Sequence, residues 1–205
     1  EMLICSMINT FFNGGSMDVV AYAHVGKYAE NHYWNKASGL LDQMACAVGG
    51  MITIDFKNPQ EPVVEKIDYD FGAQDYSLII VQTGKGHADL SEEYSSIPQE
   101  MKKVAAVFGK EVLAEVSEEE VLADVKRVMK EAGDRPLLRA LHFFEENKRV
   151  EAEVAALKEN RFNDFLGLIT ESGNSSWKWL QNCYVGGSAE QGITAALALT
   201  ELFIK

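Results

Sequence analysis

Apolar residues recur at helical spacing from the start of the chain. In "EMLICSMINTFF", Leu3, Ile4, Met7, Ile8 and Phe11 repeat every three or four positions, which predicts a helix. Asn13-Gly14-Gly15 supplies its stop. "MDVVAYAHVGKYAENHYW" predicts a second helix with Val19, Ala23 and Tyr28 among its apolar positions, and "GLLDQMACAV" a third that ends at Gly49-Gly50. "MITIDF" then alternates as a strand does. "PVVEKI" and "YSLIIVQT" predict further strands, the second a continuous apolar run of the kind found at the centre of a sheet.

From Leu90 onward the pattern is helical. Pro98 is placed in a first helical turn leading into "QEMKKVAAVFG", with Gly109 as the stop. "SEEEVLADVKRVMKEAG" opens with the signature of a capping box, Ser117 followed three residues later by Glu120. "DRPLLRALHFFEENKRVEAEVAALKEN" predicts a long amphipathic helix, with Asp134 as cap and Pro136 near the first turn. "RFNDFLGLITESG" is a shorter one, and "SSWKWLQNCYVGGSAEQG" is a loop-rich approach to a final helix in "ITAALALTELFIK". The layout is mixed, with an antiparallel sheet at its centre and helices packed around it. Both ends run straight through apolar helical patterns without a cap or stop, so the chain is expected to be an internal piece of a longer protein.

Composition adds limits to this picture. With 205 residues and 47% of them apolar, the chain can bury a core of ordinary domain size. Its net charge of −12 argues against a nucleic-acid backbone or an anionic membrane surface as main partner. Cys5, Cys46 and Cys183 are widely spaced and odd in number, which indicates neither a zinc site nor a disulfide framework. Cys5 and Cys46 read as small core residues. With no signal segment and no membrane-length apolar run, the expectation is a cytoplasmic protein.

The candidate chemistry is concentrated in one acid, which from the residues alone reads equally as a functional group or a buried structural residue. Asp42 lies among Leu40, Leu41, Met44, Ala45 and Val48, and helical spacing surrounds it with apolar neighbours. An ionised carboxylate so placed costs several kcal/mol, of order, unless it is paired. The nearest cation in sequence, Lys36, is six residues upstream, so the balancing charge must come from elsewhere. Gly84-Lys85-Gly86 lacks phosphate-loop spacing and reads as a strand-to-helix turn. His87 reads as a hydrogen-bonded structural histidine, with ligand or base as the alternative. Tyr94 can pack its ring or hydrogen-bond a polar ligand through its hydroxyl. His142, Phe143, Phe144, Trp177 and Trp179 read as packing residues, and Glu118–Glu120 as a solvated helix N-terminus.

Several of these stretches, taken in order, resemble galactokinases of the GHMP small-molecule kinase superfamily. "AENHYWNKASGLLDQMACAVGGMITIDF" is similar to that family's central block, which pairs an A-E-N helix with a G-x-x-D-Q helix and a strand ending in I-D. "LIIVQTGKGHADLSEEYSSIPQEMKKVAAVFGKEVL" looks like its next strand and S-x-E-Y helix. "LLRALHFFEENKRVEAEVAALKENRFNDFLGLITESGNS" resembles its R-x-x-H-x-x-x-E-N…G-L-x-x-E-S region. The chain departs from many members at Ile97-Pro98, where arginines are common, and at Gly173, where histidine is common.

The resemblance implies an α+β, GHMP-kinase-like fold with helices packed on a mostly antiparallel sheet. Residues 1–55 would be the end of the N-terminal domain and 56–205 most of the C-terminal one. It implies Asp42 as the catalytic aspartate, and Gly39 and Tyr94 as residues against the sugar. The implied reaction moves the ATP γ-phosphoryl group to the anomeric hydroxyl of galactose with Mg²⁺. Asp42 would accept the hydroxyl proton, or orient the hydroxyl and stabilise charge. The family's arginine partner of this aspartate, its ATP loop and its sugar-recognition motif precede the matching stretch, so this chain holds no ATP-binding loop and is expected to be inactive alone. Self-association through the severed surfaces is expected too. The alternatives are another GHMP sugar kinase, of the N-acetylgalactosamine type, and a galactokinase-like sugar sensor that signals through a protein partner.

Overall fold

The computed structural model describes residues 1–34, 38–84 and 90–204. The chain divides into two compact units, Glu1–Tyr69 and Asp70–Lys205.

The first unit holds α1 (Met2–Phe12), α2 (Val19–Tyr33), α3 (Leu41–Val48), β1 (Met51–Asp55) and β2 (Val63–Ile67). Between α1 and α2, buried Asn9 ties the turn: its side chain donates to the Met17 carbonyl at 2.9 Å and accepts from the Met17 amide at 3.1 Å. The Asp18 carboxylate then caps α2 by accepting from the Ala21 amide at 2.8 Å. Helices α1 and α2 meet at Gly26, where a Cβ would stand 2.3 Å from Met2 Cε and would push that methionine tip aside. Met2, Ala23, Leu40 and Met44 form the core, with Val20, Ala47, Ile54 and Val64 packed on it. Gly49 and Gly50, both at positive φ, reverse the chain from α3 into β1. The two strands pair antiparallel, with Met51 opposite Ile67 and Asp55 opposite Val63.

Two faces of this unit point away from its core, and the second overturns an expectation. The apolar row of α1 faces outward: Leu3, Ile4, Met7, Ile8, Phe11 and Phe12 are exposed, while Met2 and Asn9 are buried. Periodicity defines a face but not which way it points. Cys46 is also exposed, and only Cys5 lies against the core, because α3 turns its Leu40–Met44 side inward.

The second unit contains α4 (Ser91–Val107), α5 (Glu118–Ala123), α6 (Val125–Glu131), α7 (Asp134–Lys158), α8 (Phe162–Ser175) and α9 (Gly192–Ile204). Its core joins Val104, Ala105 and Val107 of α4 to Leu113, Val116, Val121, Val128, and Leu137, Ala140 and Phe144 of α7. The capping box forms as expected, with Ser117 Oγ accepting from the Glu120 amide and the Glu120 carboxylate accepting from the Ser117 amide. Ser117→Ala is expected to cost about 1 kcal/mol, read as a lower urea midpoint at unchanged slope. A single helix was expected to follow this box; a break at Asp124 divides it into α5 and α6.

Other boundaries differ from expectation. Helix α4 begins seven residues before Pro98, which therefore lies inside it rather than in its first turn. Gly133, at φ +107°, stands at the cap position of α7 and Asp134 is its first residue. Residues Ser176–Leu180 form a π-helical turn, not a loop, ending at Gln181 in the left-handed region. The largest difference concerns 76–83, expected as a central strand. Tyr76 and Phe71 pack edge-on against Phe162, at 5.1 and 5.9 Å between ring centroids. Beyond Tyr76 the chain is without regular structure, and Leu78, Ile79, Ile80 and Val81 are exposed. A continuous apolar run signals a central strand only if strands flank it, and among the described residues the only sheet is the β1–β2 pair.

Helices α7 and α8 are joined by polar contacts. His142 Nδ1 lies 2.9 Å from Ser175 Oγ, both buried, and Glu146 accepts from Ser172 Oγ and pairs with Arg149. Burial pushes the His142 imidazole below its ordinary value, against the pull of Glu146 and with the push of Arg149. The unfolded chain therefore takes up this proton first as pH falls. Stability is full above about pH 6.5 and falls below it by up to about 1.4 kcal/mol per pH unit, until the folded-state value is reached. Urea midpoints at pH 7.5 and 5.5 are expected to show this loss, and His142→Gln to reduce it.

Candidate active site

The first candidate region belongs to the first unit. Gly39 and Leu40 lead into α3, and Asp42 sits in its first turn, where a carboxylate complements the helix dipole. The expected burial of Asp42 is not found: its side chain is exposed, and Gln43 beside it is the buried polar residue. Neighbours at i±1 project about 100° apart on a helix, so Leu41 does not enclose Asp42. Leu41 is itself exposed.

Gln43 points back to α2, donating from Nε2 to the Glu30 carboxylate at 3.0 Å. Its Oε1 is buried and has no hydrogen-bond partner among the described residues. Asp42, Gln43 and Glu30 share the wall of a cavity of about 130 Å³ with Cys46, Met2 and Glu1. Its polar lining is acceptor-rich: carboxylates plus an amide oxygen still lacking a donor. Such a wall suits a ligand or side chain that brings hydrogen-bond donors or positive charge. Glu30 and Gln43 were missed as individual residues, although both stand in the A-E-N and D-Q motifs. At Gly39 open space surrounds the position a Cβ would take, which leaves that backbone accessible.

The second candidate region belongs to the second unit. Tyr94 is exposed in the first turns of α4. Behind it, Arg139 of α7 is buried, with 4% of its side chain exposed, and donates to Ser96 Oγ at 3.0 Å, to Glu100 at 2.9 Å and to the Leu180 carbonyl at 3.0 Å. Arg135 also pairs with Glu100. Burial pulls the Arg139 guanidinium below its ordinary value, while Glu100 pulls it up. The Gly-Lys-Gly loop beyond Gly84, His87 and Lys36 lie outside the described residues. Among the described residues no group of three or more His, Cys, Asp or Glu side chains converges as a metal site.

No family model matches the chain. Comparison with individual proteins is more informative. The chain is 30% identical over 182 residues to the galactokinase of Clostridium tetani, covering 84% of this chain and 44% of that protein. It is 29% identical over 159 residues to the galactokinase of Streptomyces coelicolor, covering 75% and 39%. Among solved structures it superposes on Lactococcus lactis galactokinase complexed with galactose, with a TM-score of 0.69 and 23% identity, over 88% of this chain and 46% of that one. The fold is therefore α+β and of the class that this solved structure represents. Within that class the chain is galactokinase-like, and it spans less than half the length of the curated relatives it matches.

Proposed function

We propose that this chain is part of a sugar kinase that transfers the γ-phosphoryl group of ATP to the C1 hydroxyl of galactose. One observation carries the reading: Asp42 stands exposed on the wall of an acceptor-rich cavity, inside a segment that aligns with galactokinases. An accessible carboxylate can accept a hydrogen bond from the C1 hydroxyl and take its proton as that oxygen bonds to the γ-phosphorus. The bond from the γ-phosphorus to the bridging oxygen breaks, and ADP leaves. Little other covalent chemistry is asked of the protein, so positioning and charge supply most of the acceleration. Gly39 would offer its open backbone to the sugar, and Tyr94 its ring and hydroxyl.

ATP and Mg²⁺ enter this scheme as substrate, the metal carried on the nucleotide. Residues 1–55 would end an N-terminal kinase domain and 56–205 supply most of a C-terminal one; the compact units here divide later, after Tyr69, because β2 closes on β1. A cytoplasmic setting belongs to the same reading, and the exposed apolar faces of α1 and α9 support self-association of the chain in isolation.

The test is an assay for galactose 1-phosphate, using a galactokinase-length protein that carries these 205 residues, ATP, and a sugar panel that includes N-acetylgalactosamine. Phosphorylation of galactose at C1 is expected, and none by the 205-residue chain alone. Transfer only to another sugar, or none at all, overturns the assignment.

A further inference from the structure

Helix α4 has a weak point and a clamp across it. Pro98 lies inside the helix and has no N–H to offer the carbonyl of residue 94, four positions back. It divides α4 into a downstream half anchored in the core by Val104, Ala105 and Val107, and an upstream half in which none of residues 92–97 is buried. The upstream half starts at Leu90 without a side-chain cap. Two weakened features therefore flank Tyr94.

Arg139 spans this break with a single nitrogen. Its Nη1 donates to Ser96 Oγ, two residues before Pro98, and to the Glu100 carboxylate, two residues after it. The Ser96 hydroxyl in turn donates to the Glu93 carbonyl at 2.7 Å, next to Tyr94. Arg139 is itself fixed from the other side, because its Nε donates to the Leu180 carbonyl at the end of the π-helical turn. A buried, planar guanidinium held at three points moves little.

We propose that Arg139 is a positioning residue for the sugar site: by bridging Ser96 and Glu100 across Pro98, it sets the orientation of the α4 turn that carries Tyr94. This rests on the reading of Tyr94 as a sugar-contacting residue. Arg139 touches no substrate in this scheme and acts through Ser96 and the backbone of α4.

The test has two arms, so that failure of the clamp and failure of the kinase reading are separable. The first is amide hydrogen exchange on the 205-residue chain. Arg139→Gln is expected to speed exchange at Tyr94–Ile97 by about tenfold or more, with residues 101–107 changed less than about twofold. Ser96→Ala, which removes only the upstream contact, is expected to give the same pattern more weakly and serves if Arg139→Gln does not fold. Arg135→Gln leaves Ser96 held and should leave 94–97 unchanged. Pro98→Ala restores an N–H to the helix, and in the Arg139→Gln background it is expected to recover most of the lost protection. Equal acceleration along all of α4, or none at 94–97, overturns the proposal.

The second arm measures galactose phosphorylation in a galactokinase-length protein. Arg139→Gln and Ser96→Ala are expected to raise KM for galactose, by about tenfold for the former, with kcat within about twofold. An unchanged KM despite faster exchange at 94–97 overturns the link to the sugar. A wild-type protein without galactose kinase activity removes the sugar reading, and the exchange arm still decides whether Arg139 sets the turn.

Discussion

Asp42→Asn is expected to lower kcat for galactose phosphorylation by roughly a hundred- to ten-thousand-fold, with KM for galactose changed less than about threefold. The amide has almost the same shape, so it keeps the first turn of α3 and the wall of the cavity in place. It loses the negative charge and the capacity to take a proton at that atom. Because the native carboxylate is exposed and forms no ion pair among the described residues, its removal leaves no orphaned cation in this unit. In the 205-residue chain the loss should therefore not fall on folding, and unfolding midpoints of wild-type and Asp42→Asn chains should agree within about 0.5 kcal/mol. An asparagine variant that retains more than a tenth of wild-type kcat would remove Asp42 from the reaction.

The second large effect concerns Glu100. Burial alone would raise this carboxyl; the hydrogen bonds from Arg135 and the charges of Arg139 and Arg135 outweigh that and hold it below its ordinary value. A carboxyl lowered in this way stabilises the fold above the usual carboxylate range, and that contribution is lost as pH falls through the folded-state value. Glu100→Ala leaves Arg139 buried with no carboxylate, the costly half of a broken pair. The expected loss is about 3–5 kcal/mol by urea unfolding. Replacing both members, as Glu100→Ala with Arg139→Leu, should recover part of it, since no unpaired buried charge remains. A single-variant loss below about 1 kcal/mol would show that water or another group compensates the guanidinium.

What could be read from the chain depended on sequence range. The Ser117–Glu120 box, the stop after α1 and the strand in "MITIDF" rest on local patterns, and each forms. The clamp joins residues 39 to 43 positions apart, Glu100 and Ser96 to Arg139, and no local pattern signals such pairing. Pro98 was misplaced because proline favours first turns, whereas the tertiary contacts around Ser96 and Glu100 carry the helix through it. The apolar row of α1 and the exposure of Asp42 turn on which helix face meets Ala23 and Met44, a question of packing. For the candidate site, the A-E-N and D-Q motifs fall on α2 and α3, but the contact between Glu30 and Gln43 on the cavity wall required the fold.

The run after Tyr76 has a practical consequence. Proteases bind their substrates as extended backbone, and here the backbone of 77–83 is outside helix and sheet, with aliphatic side chains exposed on it. Enzymes that cut beside Leu, Ile and Val can reach these bonds without unfolding a helix first. Under brief thermolysin digestion the first nick is expected within 77–83, well before any cut in α7. The rate of that nick would report whether anything has come to cover the segment.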